Sequence, residues 1–215
     1  MKYGESTFDI LYLLIAIGAG VWILRRAKTP AAKRMGEAVL ILGAGDAFHL
    51  IPRVANYFTA ADLTAWLGFG KLVTSITMTV FYVLMYHIFL ALYDRKEDRR
   101  VTIGIYVLAA ARCVLCLFPG NGWLSGGGTA AWAVARNAPF VLLGLWIVLL
   151  YFRERNARPR FRRIWLYVTL SFLFYIPVAV AAGALPLLGM LMLPKTVCYV
   201  LVIWTFYAAV KNGEV

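Results

Sequence analysis

Acidic residues are scarce in this sequence. Asp and Glu number 10 among 215 residues, against 22 Lys and Arg, so the formal net charge is +12. Cysteine is rare too, and Cys113, Cys116 and Cys198 all lie in apolar stretches, where an odd number of thiols is no disulfide framework. Histidine occurs twice, at His49 and His87. These two fall at different depths if the apolar stretches cross a membrane, so we expect no metal ion and no haem.

Hydrophobic residues, by contrast, make up 62% of the sequence, and the mean hydropathy of +0.76 exceeds what a soluble domain tolerates. A helix needs about 20 apolar residues to cross a bilayer of about 30 Å. Seven runs are long enough: Phe8–Leu24, Met35–Tyr57, Trp66–Tyr93, Val101–Phe118, Thr129–Phe152, Ile164–Ala182 and Leu187–Val210. Because a helix satisfies its own backbone polar groups, we predict an all-α fold, one polytopic membrane domain of seven transmembrane helices over residues 1–215.

Lysine and arginine in the connections predict the orientation, because short basic loops stay in the cytoplasm. The first, third and fifth connections carry basic clusters within residues 25–34, 95–100 and 153–163, whereas the second, fourth and sixth carry none. We therefore expect the N-terminus outside, the C-terminus in the cytoplasm and a location in the inner membrane of a bacterium. The charge then reflects topology and attraction to anionic lipids, and it does not indicate a nucleic-acid partner.

A short similarity between two segments favours an internal repeat. Gly70-Lys71-Leu72-Val73 opens the third run and Pro194-Lys195-Thr196-Val197 opens the seventh. The chain could therefore consist of parallel repeats over residues 8–93 and 129–210, joined by a linker helix over 101–118. Chance recurrence explains such short matches equally well.

The fourth connection, residues 120–128, is rich in glycine on both sides of Trp123. This composition predicts a flexible loop that serves as a linker rather than a lid. Trp66, Trp123 and Trp132 lie near the predicted outer boundary, a position typical of interfacial anchors.

Five basic residues lie inside the apolar runs rather than in loops: Arg53, Lys71, Arg112, Arg136 and Lys195. At a rise of about 1.5 Å per residue, all of them fall in the outer half of the membrane or near its middle. An ionisable side chain there is costly, so it is normally paired, water-facing or functional. Arg53 and Lys71 could each reach the outer headgroups by snorkelling, but Arg112 and Lys195 are far from the interface.

Asp46 is the one carboxylate near the middle of a predicted span, and His49 and Arg53 follow on the same helical face. One acid does not compensate five embedded bases, so a bound anion or much water must do so. We therefore predict an outward-opening cavity for a phosphate or carboxylate group, with Asp46 and His49 as a catalytic acid–base couple. The predicted ligand-binding residues are Arg53, Lys71, Ser75, Tyr82, Arg112, Arg136 and Lys195.

The stretch Leu42-Gly43-Ala44-Gly45-Asp46-Ala47, followed by Leu50-Ile51-Pro52-Arg53, resembles the lysoplasmalogenase family, which carries a Gly-Asp pair before a Leu-Pro stretch. Leu67-Gly68 at the start of the next helix also fits. The resemblance implies intramembrane hydrolysis of the vinyl ether bond of a lysoplasmalogen, with Asp46 as one catalytic acid. The chain departs from the family in two ways: Ser171-Phe172 lacks the expected second aspartate, and one helix fewer is present than the family has.

Two other functions are compatible with the same residues. In a transporter or channel, the embedded bases would select a small organic or inorganic anion, with Asp46 coupled to protons. In a retinal-type photoreceptor, Lys195 would form the Schiff base with Asp46 as counter-ion, although no acid precedes Lys195 by one turn. The hydrolase and transporter hypotheses need no cofactor. Their expected partners are membrane lipids and an anionic small molecule or lysolipid, and the sequence leaves the oligomeric state open.

Overall fold

The computed structural model describes residues 2–181 and 185–215, which form helices and no strand. The α-helices are α1 (Lys2–Arg26), α2 (Pro30–Asn56), α3 (Thr64–Leu92), α4 (Arg99–Leu117), α5 (Ala130–Arg153), α6 (Ile164–Ala181) and α7 (Met192–Lys211). Seven helices are long and apolar enough to cross a membrane. The predicted all-α class with seven spanning helices is thereby confirmed, and it indicates a multi-pass membrane protein.

Helix α1 begins earlier than predicted. The first apolar run begins at Phe8, whereas α1 begins at Lys2 and therefore includes Glu5 as well as Asp9. Polar residues between Lys2 and Thr7 lower the local hydropathy, which is why a search for apolar runs begins only at Phe8. The consequence for the site is that two carboxylates of α1 belong to the helical bundle.

Helix α7 begins later than predicted. The predicted span begins at Leu187, but Pro186–Leu191 is a 3₁₀ helix and α7 begins at Met192. Pro194 then falls in the first turn of α7, where its missing N–H costs no intrahelical hydrogen bond. Ala182, the predicted end of the sixth span, lies outside the described residues.

Polar side chains cap the N-termini of three helices. Thr29, Asp98 and Thr129 precede α2, α4 and α5, and each accepts a hydrogen bond from a backbone N–H of the first turn, at 3.1, 2.8 and 3.5 Å. Pro30 follows Thr29 at the first position of α2. These bonds satisfy N–H groups that have no partner within the helix, which explains where the three helices begin.

Glycines let α2 pack closely against both of its neighbours. A methyl group at Gly20 of α1 would lie 2.9 Å from the backbone N of Leu40, and one at Gly70 of α3 would lie 2.1 Å from the carbonyl O of Phe48. Both contacts are with the backbone of α2, so small residues allow main chains to approach. This packing holds α1, α2 and α3 together.

An aromatic core joins α3, α5, α6 and α7. The ring of Tyr82 lies edge-on to Phe140, with centroids 5.2 Å apart, and its centroid is 5.5 Å from that of Phe172. Its hydroxyl shares a 3.1 Å hydrogen bond with that of Tyr199. Tyr82 is fully buried in this core, so the structure places it in the packing rather than among ligand-binding residues.

We expect Gly70→Ala to destabilise the protein and Gly18→Ala to leave its stability nearly unchanged. The methyl group at position 70 must displace the backbone of α2, an overpacking cost of about 1–3 kcal/mol. Nothing lies within 4 Å of the corresponding position at Gly18. Thermal unfolding in detergent measures both variants, and equal Tm values would contradict the close contact between α2 and α3.

Candidate functional site

A cavity of about 490 Å³ lies among helices α2 to α7. Its polar lining residues are His49, Arg53, Lys71, Thr74, Ser75, Arg112, Thr129, Arg136, Asn137, Tyr175 and Lys195. No Asp or Glu occurs among the described lining residues. The five embedded bases therefore meet around one cavity, as do His49 and Ser75, whereas Asp46 and Tyr82 lie outside its lining.

Arg112 is the most deeply buried of these bases, with 2% of its surface exposed. Its Nη1 donates to the carbonyl O of Arg136 at 2.9 Å and to Oδ1 of Asn137 at 2.8 Å. Its guanidinium carbon lies 3.8 Å from the centre of the Phe140 ring. The Nε–H has no hydrogen-bond partner among the described residues. All of these partners are neutral, so no carboxylate pairs with Arg112, and only its Nη1 has hydrogen-bond partners among the described residues.

Neutral groups also surround Lys195. Its Nζ lies 5.0 Å from the ring centre of Tyr175 and 5.5 Å from that of Tyr199. The Tyr175 hydroxyl donates to Oδ1 of Asn137 at 2.7 Å, so this amide oxygen accepts bonds from both Tyr175 and Arg112. The aromatic faces attract the ammonium group but carry no net charge. Like Arg112, Lys195 has no carboxylate within 4.0 Å among the described residues, although Asp46 is close enough for the two charges to interact.

The ion pairs of the described residues show which lining bases are compensated. An ion pair is defined here by an N–O distance of at most 4.0 Å. Among the described residues, Arg53 is the only lining base that forms such a pair with a carboxylate. The four bases without such a partner are Lys71, Arg112, Arg136 and Lys195. Like charges gathered in a poorly solvated cavity repel one another, which favours a bound anion.

The fourth connection is folded onto the site and is not the flexible linker predicted. It contains the 3₁₀ helices Pro119–Asn121 and Trp123–Ser125. Asn121 is buried, and its Nδ2 donates to the carbonyl groups of Leu115 and Phe118 at 2.7 and 2.9 Å. These bonds satisfy carbonyl groups at the end of α4 and fix the connection to that helix.

This connection also holds Arg136. Nη1 of Arg136 donates to Oδ1 of Asn121 at 2.8 Å, and the guanidinium carbon lies 4.5 Å from the ring centre of Trp123. Trp123 in turn donates from Nε1 to the carbonyl O of Cys116 at 2.8 Å. Trp123 was predicted as an interfacial anchor, but the structure places it in the cavity lining, with its N–H bonded to the end of α4.

Arg53 differs from the other bases because α1 supplies its counter-ions. Its Nη2 lies 2.9 Å from Oε1 of Glu5, and its Nη1 lies 4.0 Å from Oδ2 of Asp9. The Tyr57 hydroxyl donates to Oε2 of Glu5 at 2.6 Å, which raises the pKa of the Tyr57 phenol because the bond holds its proton. The sequence prediction missed Glu5 because it began the first span at Phe8, and it did not single out Asp9, which lies at the start of that span. The spacing of Glu5 and Asp9 by one helical turn could have indicated them.

Asp46 faces α1 rather than the cavity. Its Oδ2 accepts a 2.6 Å hydrogen bond from the hydroxyl of Tyr12, a residue that the sequence prediction did not single out. Asp46 and Lys195 are close enough for their charges to interact. No hydrogen bond among the described residues joins Asp46 to His49, so their predicted acid–base couple is not formed directly in this structure.

His49 lines the cavity, and its buried Nδ1 has no hydrogen-bond partner among the described residues. His87 lies elsewhere, with Nε2 2.8 Å from the hydroxyl of Tyr106. Among the described residues there is no group of three or more His, Cys, Asp and Glu side chains that could hold a metal ion. Of the two histidines, His49 is thus the one that lines the cavity.

Comparisons with protein-family models, with curated proteins and with solved structures give no match. The lysoplasmalogenase resemblance therefore stays a prediction that rests on the residues around Asp46. Any assignment of function must come from the geometry and charge of the cavity.

We expect Glu5 and Arg53 to stabilise the protein as a pair. Glu5→Gln and Arg53→Gln should each lower the free energy of unfolding by about 1–3 kcal/mol, and the double variant should cost little more than either single variant. Unfolding of all three in detergent gives the coupling between the two residues. If Arg53 instead binds the ligand without supporting the fold, Arg53→Gln will weaken phosphate binding and leave the stability unchanged.

Proposed function

We propose that the cavity binds the phosphate or carboxylate group of an anionic ligand, of the kind found in a single-chain phospholipid. The observation that carries this proposal is Arg112, which is almost fully buried on the cavity wall with a free Nε–H and only neutral partners. A guanidinium group is suited to a phosphate or carboxylate because its planar donors match two oxygen atoms at once.

The free energy needed to bury these charges favours a bound ligand over an empty cavity. Removing a charge from water costs several kcal/mol per ion even after relaxation of the protein. The aromatic contacts of Arg112 and Lys195 return only about 0.5–2 kcal/mol each. A bound anion would compensate several bases at once, whereas among the described lining bases only Arg53 has a carboxylate within 4.0 Å.

The remaining lining supports an amphiphile rather than a small ion alone. Apolar side chains of α5, α6 and α7 also line the cavity. They include Ala133, Phe140, Val178, Ala179 and Met192. A ligand with a charged headgroup and one alkyl chain would match both the basic and the apolar lining residues, as the apolar surface of most small-molecule sites suggests.

We expect Arg112→Met to abolish anion binding without unfolding the protein. Replacing an uncompensated buried charge by an apolar side chain of similar length is often neutral or stabilising by about 1–4 kcal/mol. In detergent, lysophosphatidic acid should raise the Tm of the natural protein but not that of the variant, because a ligand stabilises only the state that binds it.

Arg155→Met is the matched control for this experiment. Arg155 lies in the fifth connection, away from the cavity lining, and should leave the response to lysophosphatidic acid unchanged. A large loss of stability in Arg112→Met, with the ligand response retained, would show that Arg112 is structural and would contradict the proposal.

The geometry gives some support to hydrolysis of a bound lysoplasmalogen. Such a reaction protonates the vinyl carbon, adds water to the resulting cation and splits the hemiacetal into a fatty aldehyde and the glycerol hydroxyl of the phospholipid. We infer that His49 transfers these protons, because it lines the cavity and its Nδ1 has no hydrogen-bond partner among the described residues. Asp46 could influence the reaction only through other groups, because it does not line the cavity.

If the protein is such a hydrolase, His49→Gln should abolish the release of aldehyde, and Asp46→Asn should reduce it less severely. Proton transfer by a positioned side chain contributes about 10²–10⁴-fold to a rate, so the loss in His49→Gln should fall in that range. Mass spectrometry of the aldehyde measures turnover by purified protein in lipid. Full activity in both variants would exclude these residues from catalysis, while ligand binding could still be measured separately.

An anion transporter or channel is the alternative, and the absence of carboxylates from the described lining favours it. Walls that carry only positive charge select anions. In liposomes, a transporter should carry phosphate or a small carboxylate down its gradient, and Lys195→Met should slow this flux. Anion flux without lipid turnover would favour this alternative. A visible absorption band in the purified protein would instead support the retinal hypothesis for Lys195.

The orientation of the chain, its location in a bacterial inner membrane and its internal repeat are also part of this proposal. An outside N-terminus and a location in a bacterial inner membrane would place the second and fourth connections on the outer side, together with the basic end of the cavity. Both rest on the charges of the connections. The parallel repeats over residues 8–93 and 129–210 also stay a prediction. The repeat over 129–210 contains residues 182–184, which lie outside the described residues.

A further inference from the structure

A second cavity, of about 250 Å³, lies beside the first at the end of the bundle where α2 connects to α3. We name it the vestibule. It is lined by Thr64, Leu67, Gly68, Lys71, Asn121, Gly122, Trp123, Gly126, Gly127, Gly128 and Arg136. Lys71, Trp123, Gly127, Gly128 and Arg136 line both cavities. These shared residues form the wall between the vestibule and the larger cavity.

The wall of the vestibule has a defined conformation. A methyl group at Gly68 would lie 1.4 Å from the carbonyl O of Trp123, so the fourth connection contacts the backbone of α3. Gly122 and Gly126 have φ angles of 58° and 89°, which favour glycine. The N–H of Gly127 donates to the carbonyl O of Gly122 at 3.0 Å, which closes the loop on itself.

The charge of the vestibule resembles that of the larger cavity. Lys71 and Arg136 are its ionisable lining residues, and neither has a carboxylate within 4.0 Å among the described residues. Lys71 is exposed, whereas Arg136 is partly buried and is held by Asn121 and Trp123. An anion in the vestibule would therefore meet both bases before it passed the ring of Trp123.

We propose that the vestibule is an access subsite, in which the anionic group of the ligand binds between Lys71 and Arg136 before it moves past Trp123 to Arg112 and Lys195. This inference rests on the proposed function of the larger cavity, and it adds the route and the order of contacts. The group recognised is a phosphate or carboxylate, whether it belongs to a lipid headgroup or to a free solute. Clefts lined by one sign of charge attract such groups and speed their binding.

The charge of the vestibule can be tested without a known ligand. Thr64→Cys places a thiol in the vestibule, and Ala65→Cys places one beside it that lines neither cavity. Both are made after Cys113, Cys116 and Cys198 are replaced by alanine, and each is treated with a sulfonate-bearing and a trimethylammonium-bearing methanethiosulfonate. The sulfonate reagent should be favoured at position 64 over position 65 by about tenfold, because the two bases attract it. Inorganic phosphate should reduce this preference, and equal preferences at the two positions would overturn the proposal.

The route is tested by filling the vestibule. Leu67→Trp adds bulk to a residue that lines only the vestibule, and Ala65→Trp adds the same side chain outside both cavities. The probes are glycerol 3-phosphate in water and lysophosphatidic acid in phosphatidylcholine vesicles, with binding followed by stopped flow. For a probe that uses this route, Leu67→Trp should slow association and dissociation by the same factor, about tenfold, and leave Kd unchanged, while Ala65→Trp changes neither rate.

The two probes distinguish the sources of the anionic group. Slower exchange of glycerol 3-phosphate shows that a free solute uses the vestibule, and slower exchange of lysophosphatidic acid shows that a lipid headgroup does. If Leu67→Trp leaves the rates and Kd values of both probes unchanged, the proposed role of the vestibule is wrong, whereas the proposed role of the larger cavity is not affected. If neither probe binds the natural protein, the proposed function itself is wrong.

Discussion

The mutual repulsion of positive charges in a poorly solvated cavity is the constraint that the rest of the structure must meet. Lys71, Arg112, Arg136 and Lys195 line one cavity, and none has a carboxylate within 4.0 Å among the described residues. The desolvation of a buried ion such as Arg112 costs several kcal/mol, which neutral oxygens and aromatic rings offset only in part. Among the described residues no carboxylate lines the cavity, and this excess of positive charge is the observation on which the proposed anion site rests.

The embedded arginines differ in the groups that they contact. Arg53 receives Glu5 from α1, and this pair joins α1 to α2. Arg112 and Arg136 instead receive amide oxygens, from Asn137 and Asn121 respectively. An amide oxygen fixes the direction of a guanidinium group without neutralising it. This difference separates a structural cation from cations that keep their charge for a ligand.

Hydropathy and helical periodicity predicted much of this arrangement. The apolar runs predicted seven helices, and the spacing of Lys71 and Ser75 placed both on the face of α3 that lines the cavity. Periodicity defines a face but not how far a cavity extends along it, so Tyr82 was assigned to the ligand although it lies in the core. Glu5 was missed because polar residues at the start of a spanning helix lower its hydropathy. The folded connection around Trp123 depends on backbone contacts with α3 that no local pattern contains.

The central claim is that the cavity holds an anion between Arg112 and Lys195. An experimental structure of the natural protein, purified with its native lipids, tests this most directly. The account predicts density for a phosphate or carboxylate group within hydrogen-bond distance of Nε of Arg112 and Nζ of Lys195, with density for an alkyl chain toward Val178 and Met192. A cavity that contains only water, or a carboxylate side chain of the protein paired with Arg112, would contradict it.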